Sequence, residues 1–173
     1  MSFTPFAAFG KLPAKGLPAM MIDDFQFLDP GELIDGELQL ILKEKKPADP
    51  AKGFVPAYVF EMVLTGTDTV VGSINLRIGN TEHLVRYGGH IGYGVDLDHR
   101  GHRFAARACR LLLPLAKKHG LNPLWITVTP ENVASRRSCE ILGAKMVEIL
   151  DLPPDCDMYA KGERRKCRYR VDL

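Results

Sequence analysis

The chain has 173 residues, 46% hydrophobic and 25% charged, the composition of a soluble globular protein with one domain and one ordinary core. Its formal net charge of +2 is too small to argue by itself for a nucleic-acid partner. No run is long and apolar enough to span a bilayer, and Met1 to Met20, broken by Pro5, Pro13 and Pro18, builds no apolar core of a secretory signal.

The expected setting is therefore the cytoplasm, with Cys109, Cys139, Cys156 and Cys167 reduced. These cysteines lie far apart without a C-x-x-C pair, so no zinc template is present and no metal is expected. Cys109 and Cys139 fall in segments of helical periodicity and read as small buried hydrophobes.

Residues 1–35 lack periodicity and carry four prolines, which predicts an irregular N-terminal arm wrapped on the surface. Leu38, Leu40 and Leu42 alternate with Gln39, Ile41 and Lys43, a first strand apolar on nearly both sides. Glu44 to Pro56 is punctuated by proline and reads as a loop. Ala57 to Leu64 and Val70 to Ile78 read as strands joined by the turn Thr65-Gly66-Thr67-Asp68. Gly79 to Thr81 turns the chain again, and a strand from about Val85 to Val95 follows. Short turns between consecutive strands imply an antiparallel meander.

His90 to Val95 then leads through a polar turn, Asp96 to Gly101, into an amphipathic segment. Phe104, Ala108, Leu111, Leu112 and Leu115 form its apolar stripe, and Arg103, Arg107, Arg110, Lys117 and Lys118 its other side. His119-Gly120 ends that helix. Leu124 to Val128 is a strand, Glu131 to Leu142 a second helix, Lys145 to Leu150 a strand and Lys166 to Val171 the last strand, after a loop opened by Pro153-Pro154. The strand–helix–strand unit implies locally parallel pairing through a right-handed crossover. The fold class is α/β (α+β): a mixed, mostly antiparallel central sheet flanked by helices, in one domain spanning 1–173.

A basic, glycine-containing turn between a strand and a helix aims backbone N–H groups and the helix dipole at one point, where an anion can be held. Arg100-Gly101-His102-Arg103-Phe104-Ala105 is such a turn. No G-x-x-x-x-G-K-[ST] sequence occurs, which excludes a P-loop nucleotide hydrolase. Asn132 and Ser135 open the second helix, where either can act as a cap.

These motifs together resemble the Gcn5-related N-acetyltransferase (GNAT) superfamily, in the branch of the ribosomal-protein N-terminal acetyltransferases. Its pyrophosphate turn has the form Arg/Gln-x-x-Gly-x-Gly/Ala. Arg100 and Ala105 fit the first and last positions, and Arg103 stands where the family has its middle glycine. Asn132-x-x-Ser135, followed by Glu140-Ile141-Leu142-Gly143-Ala144, matches the branch's Asn-x-x-Ser…Glu-x-Leu-Gly-Phe element.

The resemblance implies an acyl-CoA N-acyltransferase fold and acetyl-CoA as acyl donor. Arg100, Gly101, His102, Arg103, Phe104 and Ala105 would take the phosphates, Asn132 the pantetheine arm, and Ser135 the neighbourhood of the thiol. Tyr93 and Val95 lie on the strand whose backbone would pair with the pantetheine amides, and Tyr93 also fits a core role. Gly92 and Gly94 predict a bulged, splayed strand there. A small-molecule or peptide amine is the implied acceptor, and a homodimer is compatible. The family tyrosine seven residues beyond the asparagine is replaced by Cys139. The segment after the first strand leaves little room for the acceptor-groove helices that the resemblance implies.

For the general base, His90 is the nearest titratable group, with Glu61 in reserve on a neighbouring strand. The other reading of His90 is a strand histidine bonded to backbone. A non-catalytic acyl-CoA-binding module is the alternative function. A nucleic-acid- or ribosome-associated protein working through Arg164 to Arg170 is the third, against which alternation predicts one solvated cationic strand face. Trp125 reads as core.

Overall fold

Alternation of apolar and polar side chains dominates the computed structural model, which describes residues 25–173. Strands β1 (Ile34–Asp35), β2 (Leu38–Lys46), β3 (Ala57–Leu64), β4 (Val70–Arg77) and β5 (Ile91–Val95) form one sheet in sequential order, every neighbouring pair antiparallel. Helix α1 (Phe104–Lys118) follows β5. Strand β6 (Leu124–Val128), helix α2 (Val133–Leu142), strand β7 (Lys145–Asp151), the short helix α3 (Asp157–Ala160) and strand β8 (Arg165–Val171) complete the chain. These last strands make a second antiparallel sheet in the order β6-β8-β7.

The period-two pattern divides the first sheet cleanly. Tyr58, Phe60 and Met62 on β3, with Ile74 and Leu76 on β4, are buried in one core with Leu112, Leu115 and Ala116 of α1. Ala57, Val59, Asn75 and Arg77 therefore face the other way, since register pairs Val59 with Asn75 and Ala57 with Arg77. Helix α2 packs on α1, and Arg110 donates to the Ile141 carbonyl at 3.1 Å.

Several expectations need correction. Most of the anticipated N-terminal arm lies outside the described residues, as does the Met1 to Met20 stretch. Residues 25–33 are irregular as expected, yet Phe25, Phe27 and Leu28 pack against the core rather than simply wrapping its surface. The Tyr58 hydroxyl ties this segment down, accepting from Leu28 N–H at 2.7 Å and meeting His119 Nε2 at 2.7 Å. Strand β2 runs on to Lys46, so the loop before β3 is only residues 47–56, and Ile41 is exposed.

The expected strand from Val85 is a π-helical turn, Leu84–Gly88, and β5 starts only at Ile91. Nor is β5 bulged, since its register with β4 is regular from Gly72 to Leu76. The predicted parallel pairing of β5 with β6 is reduced to one junction. His90 N–H donates to the Trp125 carbonyl at 2.7 Å, and no ladder between the two strands continues from it. On the basic strand, Lys166 and Arg168 are covered rather than solvated: Lys166 pairs with Glu163, while Arg168 pairs with Glu148 and lies 3.6 Å from the Trp125 ring centre. Arg107, expected toward solvent, is partly buried and binds Asp35 at 2.8 Å and Glu37, fixing α1 to the first sheet's edge.

Candidate active site

Beyond the His90–Trp125 junction, β5 and β6 separate around a cleft of about 500 Å3. Ile91, Gly92 and Tyr93 form one side, and Ile126, Thr127 and Val128 the other. Separation leaves one edge of each strand without a ladder partner, and such an edge offers N–H and C=O groups to an extended ligand. Asn132 and Ser135 at the start of α2 line the cleft, as do Asp157 and Met158 of α3.

The turn behind β5 fits an anion. Gly101 has φ +89°, and a Cβ there would meet nothing within 4 Å, so the glycine serves the backbone conformation rather than tight packing. Arg103 occupies the left-handed region at φ 60°, ψ 21° and precedes α1 without capping it. The first-turn N–H groups of a helix have no intrahelical acceptor, and here no side chain supplies one at the cap position. Gly101, His102 and Arg103 are exposed, whereas Phe104 and Ala105 are buried in the helix's inner face. Phe104 thus serves packing, with the His102 ring stacked on it at 5.2 Å. Arg100 turns back, its Nε donating to the Val95 carbonyl at 3.1 Å.

Asn132 caps α2, its Oδ1 accepting from Ser135 N–H at 3.0 Å. The Ser135 hydroxyl lies 2.8 Å from the Tyr93 hydroxyl. Burial holds the Tyr93 phenol well above its ordinary pKa, so it stays protonated. Cys139, where the family tyrosine would stand, is buried, and desolvation pushes its thiol up to about 12.

Neither expected base reaches the cleft. His90 is fully buried; its Nδ1 accepts from Trp125 N–H at 2.8 Å and its Nε2 lies 2.9 Å from the Gly79 carbonyl. Accepting at Nδ1 places the proton on Nε2, which donates to Gly79, so both ring nitrogens are engaged by the backbone. Desolvation lowers its pKa to about 4. Glu61 lines neither this cleft nor its neighbouring cavity, and pairs with Lys43 at 3.3 Å. The side chain of Val95 is not among the cleft-lining groups either. Sequence reasoning missed Asp157, which sits in the stretch read as loop. Its carboxylate, the Cys156 thiol and a ring nitrogen of His83 come within 4.8 Å of one another, a grouping of metal-ligand types that no sequence spacing announces.

An uncapped helix behind a glycine turn thus stands beside two diverging strands. The sequence profile of the acetyltransferase (GNAT) domain family matches residues 24–145, and the chain belongs to that family. Solved structures agree on the fold. A GNAT-family acetyltransferase from Bacillus anthracis superposes with a TM-score of 0.53 at 22% identity, covering 66% of this chain and 65% of its own. A Vibrio cholerae protein provisionally assigned as a ribosomal-protein-serine acetyltransferase gives 0.59 at 16% identity, over 84% of this chain and all of its own. RimL, a ribosomal L7/L12 α-N-protein acetyltransferase solved with coenzyme A, gives 0.53 at 13% identity, over 71% of this chain and 64% of its own. The chain thus spans slightly less than two thirds of the first and last of these. A comparison with curated proteins finds no match. No described helix is long and apolar enough to cross a membrane.

Proposed function

We propose that the protein is an acetyl-CoA-dependent N-acetyltransferase that acetylates a primary amine, small-molecule or peptide, by direct attack in a ternary complex. The observation that carries this reading is the separation of β5 from β6 where β5 leads through the glycine turn into the uncapped α1. Arg100, Gly101, His102, Arg103 and the first-turn N–H groups of Phe104 and Ala105 would hold the phosphates. The β5 edge around Tyr93, together with Asn132, would hold the pantetheine arm.

Acetyl-CoA supplies an activated thioester: the amine nitrogen bonds to its carbonyl carbon, the C–S bond breaks, and coenzyme A leaves as the thiol. Free N–H groups on β5 stabilise the developing oxyanion. Ser135, hydrogen-bonded to the protonated Tyr93, relays to the departing sulfur the second proton that the attacking nitrogen loses as the amide forms. Asp157, at the cleft's rim, accepts the ammonium proton. His90 and Glu61 take no part, the first because its nitrogens are engaged and the second because it lies outside the cleft.

The test is thiol release from acetyl-CoA against a panel of primary amines. Turnover with at least one amine, reduced about 10²-fold in kcat by Ser135→Ala and by Asp157→Asn with coenzyme A affinity retained, is the expected result. Binding of acetyl-CoA without turnover on any amine would return the protein to the acyl-CoA-binding module.

A further inference from the structure

A second cavity, of about 690 Å3, lies on the face of the first sheet opposite α1. The 47–56 loop walls it with Phe54 and Val55, and Val59 and Asn75 belong to its sheet side. Asn75 is only 3% exposed, and neither its Oδ1 nor its Nδ2 has a hydrogen-bond partner among the described residues. A buried carboxamide with both groups unpaired costs stability and calls for an account.

Its position supplies one. A Cβ built on Gly92 would lie 3.3 Å from Asn75 Nδ2 and 3.0 Å from Arg77 Nη2. The carboxamide therefore rests on the β5 backbone at a residue that also lines the first cleft, and Arg77 lines both cavities. The two spaces meet at Arg77 and the Asn75–Gly92 contact.

We infer that the second cavity receives the body of the acetyl acceptor, and that Asn75 selects an amine whose apolar frame carries a carboxamide. The inference rests on the first cleft being the acetyl-donor site. A carboxamide presents one N–H and one C=O side by side, the complement of Asn75 Oδ1 and Nδ2. A hydroxyl can satisfy them only through one shared oxygen. A carboxylate would set an anionic oxygen against Asn75 Oδ1, and a second ammonium would face the Arg77 guanidinium. The predominantly apolar lining takes the rest of such a molecule.

Three probes differ only at this point: L-phenylalaninamide, L-phenylalanine and 2-phenylethylamine. Calorimetry on the protein without donor, then thiol release with acetyl-CoA, should rank the amide at least tenfold above both others in affinity and in kcat/KM. Asn75→Leu, similar in volume, should bring the amide within about twofold of 2-phenylethylamine, leave coenzyme A affinity unchanged and raise the melting temperature. Asn75→Gln keeps the carboxamide chemistry and serves as a second variant, expected to retain a part of the preference. A wild type without amide preference, a preference for the free acid, or a preference that survives Asn75→Leu overturns the inference. That last result is what a carboxamide satisfied by ordered water alone would give. Failure of the wild type to bind coenzyme A would overturn the donor site and the acceptor assignment together, whereas loss of the amide preference in a protein that still binds coenzyme A sinks this inference alone.

Discussion

Arg103 is the one described residue other than glycine with positive φ. The left-handed region costs an ordinary L-residue about 1–2 kcal/mol because Cβ crowds the carbonyl oxygen. The family pattern puts glycine at this position, and the geometry gives the reason: the turn needs that conformation to bring the chain into α1. This protein accepts the strain and gains an exposed cation beside the α1 N-terminus. Arg103→Gly should therefore raise stability by about 1 kcal/mol in chemical denaturation. The same variant should weaken coenzyme A about tenfold or more while changing binding of a pantetheine fragment little, as expected for a charge-assisted phosphate contact. Equal weakening for both ligands would assign Arg103 a purely backbone role.

At the scale of elements, His90 joins the two sheets. Its backbone N–H bonds the Trp125 carbonyl, and its ring bonds Trp125 N–H and the Gly79 carbonyl. Burial lowers its pKa from 6.5 to about 4, so the unfolded chain takes up a proton at a higher pH than the folded one. This contribution to stability is complete above about pH 6.5 and is lost as pH falls toward 4, amounting to about 3 kcal/mol at full loss. His90→Gln should be less stable at pH 7 and should lose that part of the acid dependence. The acidic limb of the turnover profile should stay as in the wild type; disappearance of the limb in this variant would restore His90 to the mechanism.

Local pattern made α1 and β6 legible, the latter with its ends at Leu124 and Val128. The Asn132 cap and the small residues of the turn from Arg100 to Ala105 were likewise visible, because these signals lie within a few residues of one another. The turn Leu84–Gly88 was not. Its carbonyls are held by distant donors: Arg168 at Val85, Thr127 at Tyr87 and Arg77 at Gly88. The residues in between read as an ordinary strand. The same distance effect concealed the covered state of Lys166 and Arg168. For the second cavity a signal did exist: Ser73, Asn75 and Arg77 repeat every second residue in an otherwise apolar strand, marking a face with work other than core packing.

Across the whole molecule, two antiparallel sheets meet at one point and open away from it, with α1 and α2 covering a common face. The cleft lies between the sheets, and the second cavity lies under a loop only ten residues long, 47–56. This shape asks for a ligand that bridges the diverging strands and the α1 N-terminus, and acetyl-CoA has the length and the charge to do so. A ligand bound only by the folded state stabilises it by about 2.7 kcal/mol at a hundred times its dissociation constant. For a chain of this size that corresponds to a rise of about 5–10 °C in melting temperature. The decisive measurement is thermal unfolding with and without saturating acetyl-CoA, for the wild type and for Gly101→Val, whose branched side chain cannot adopt φ +89° without strain. The account predicts a rise of that size in the wild type and almost none in a folded Gly101→Val. An unchanged wild-type transition at millimolar acetyl-CoA would contradict it.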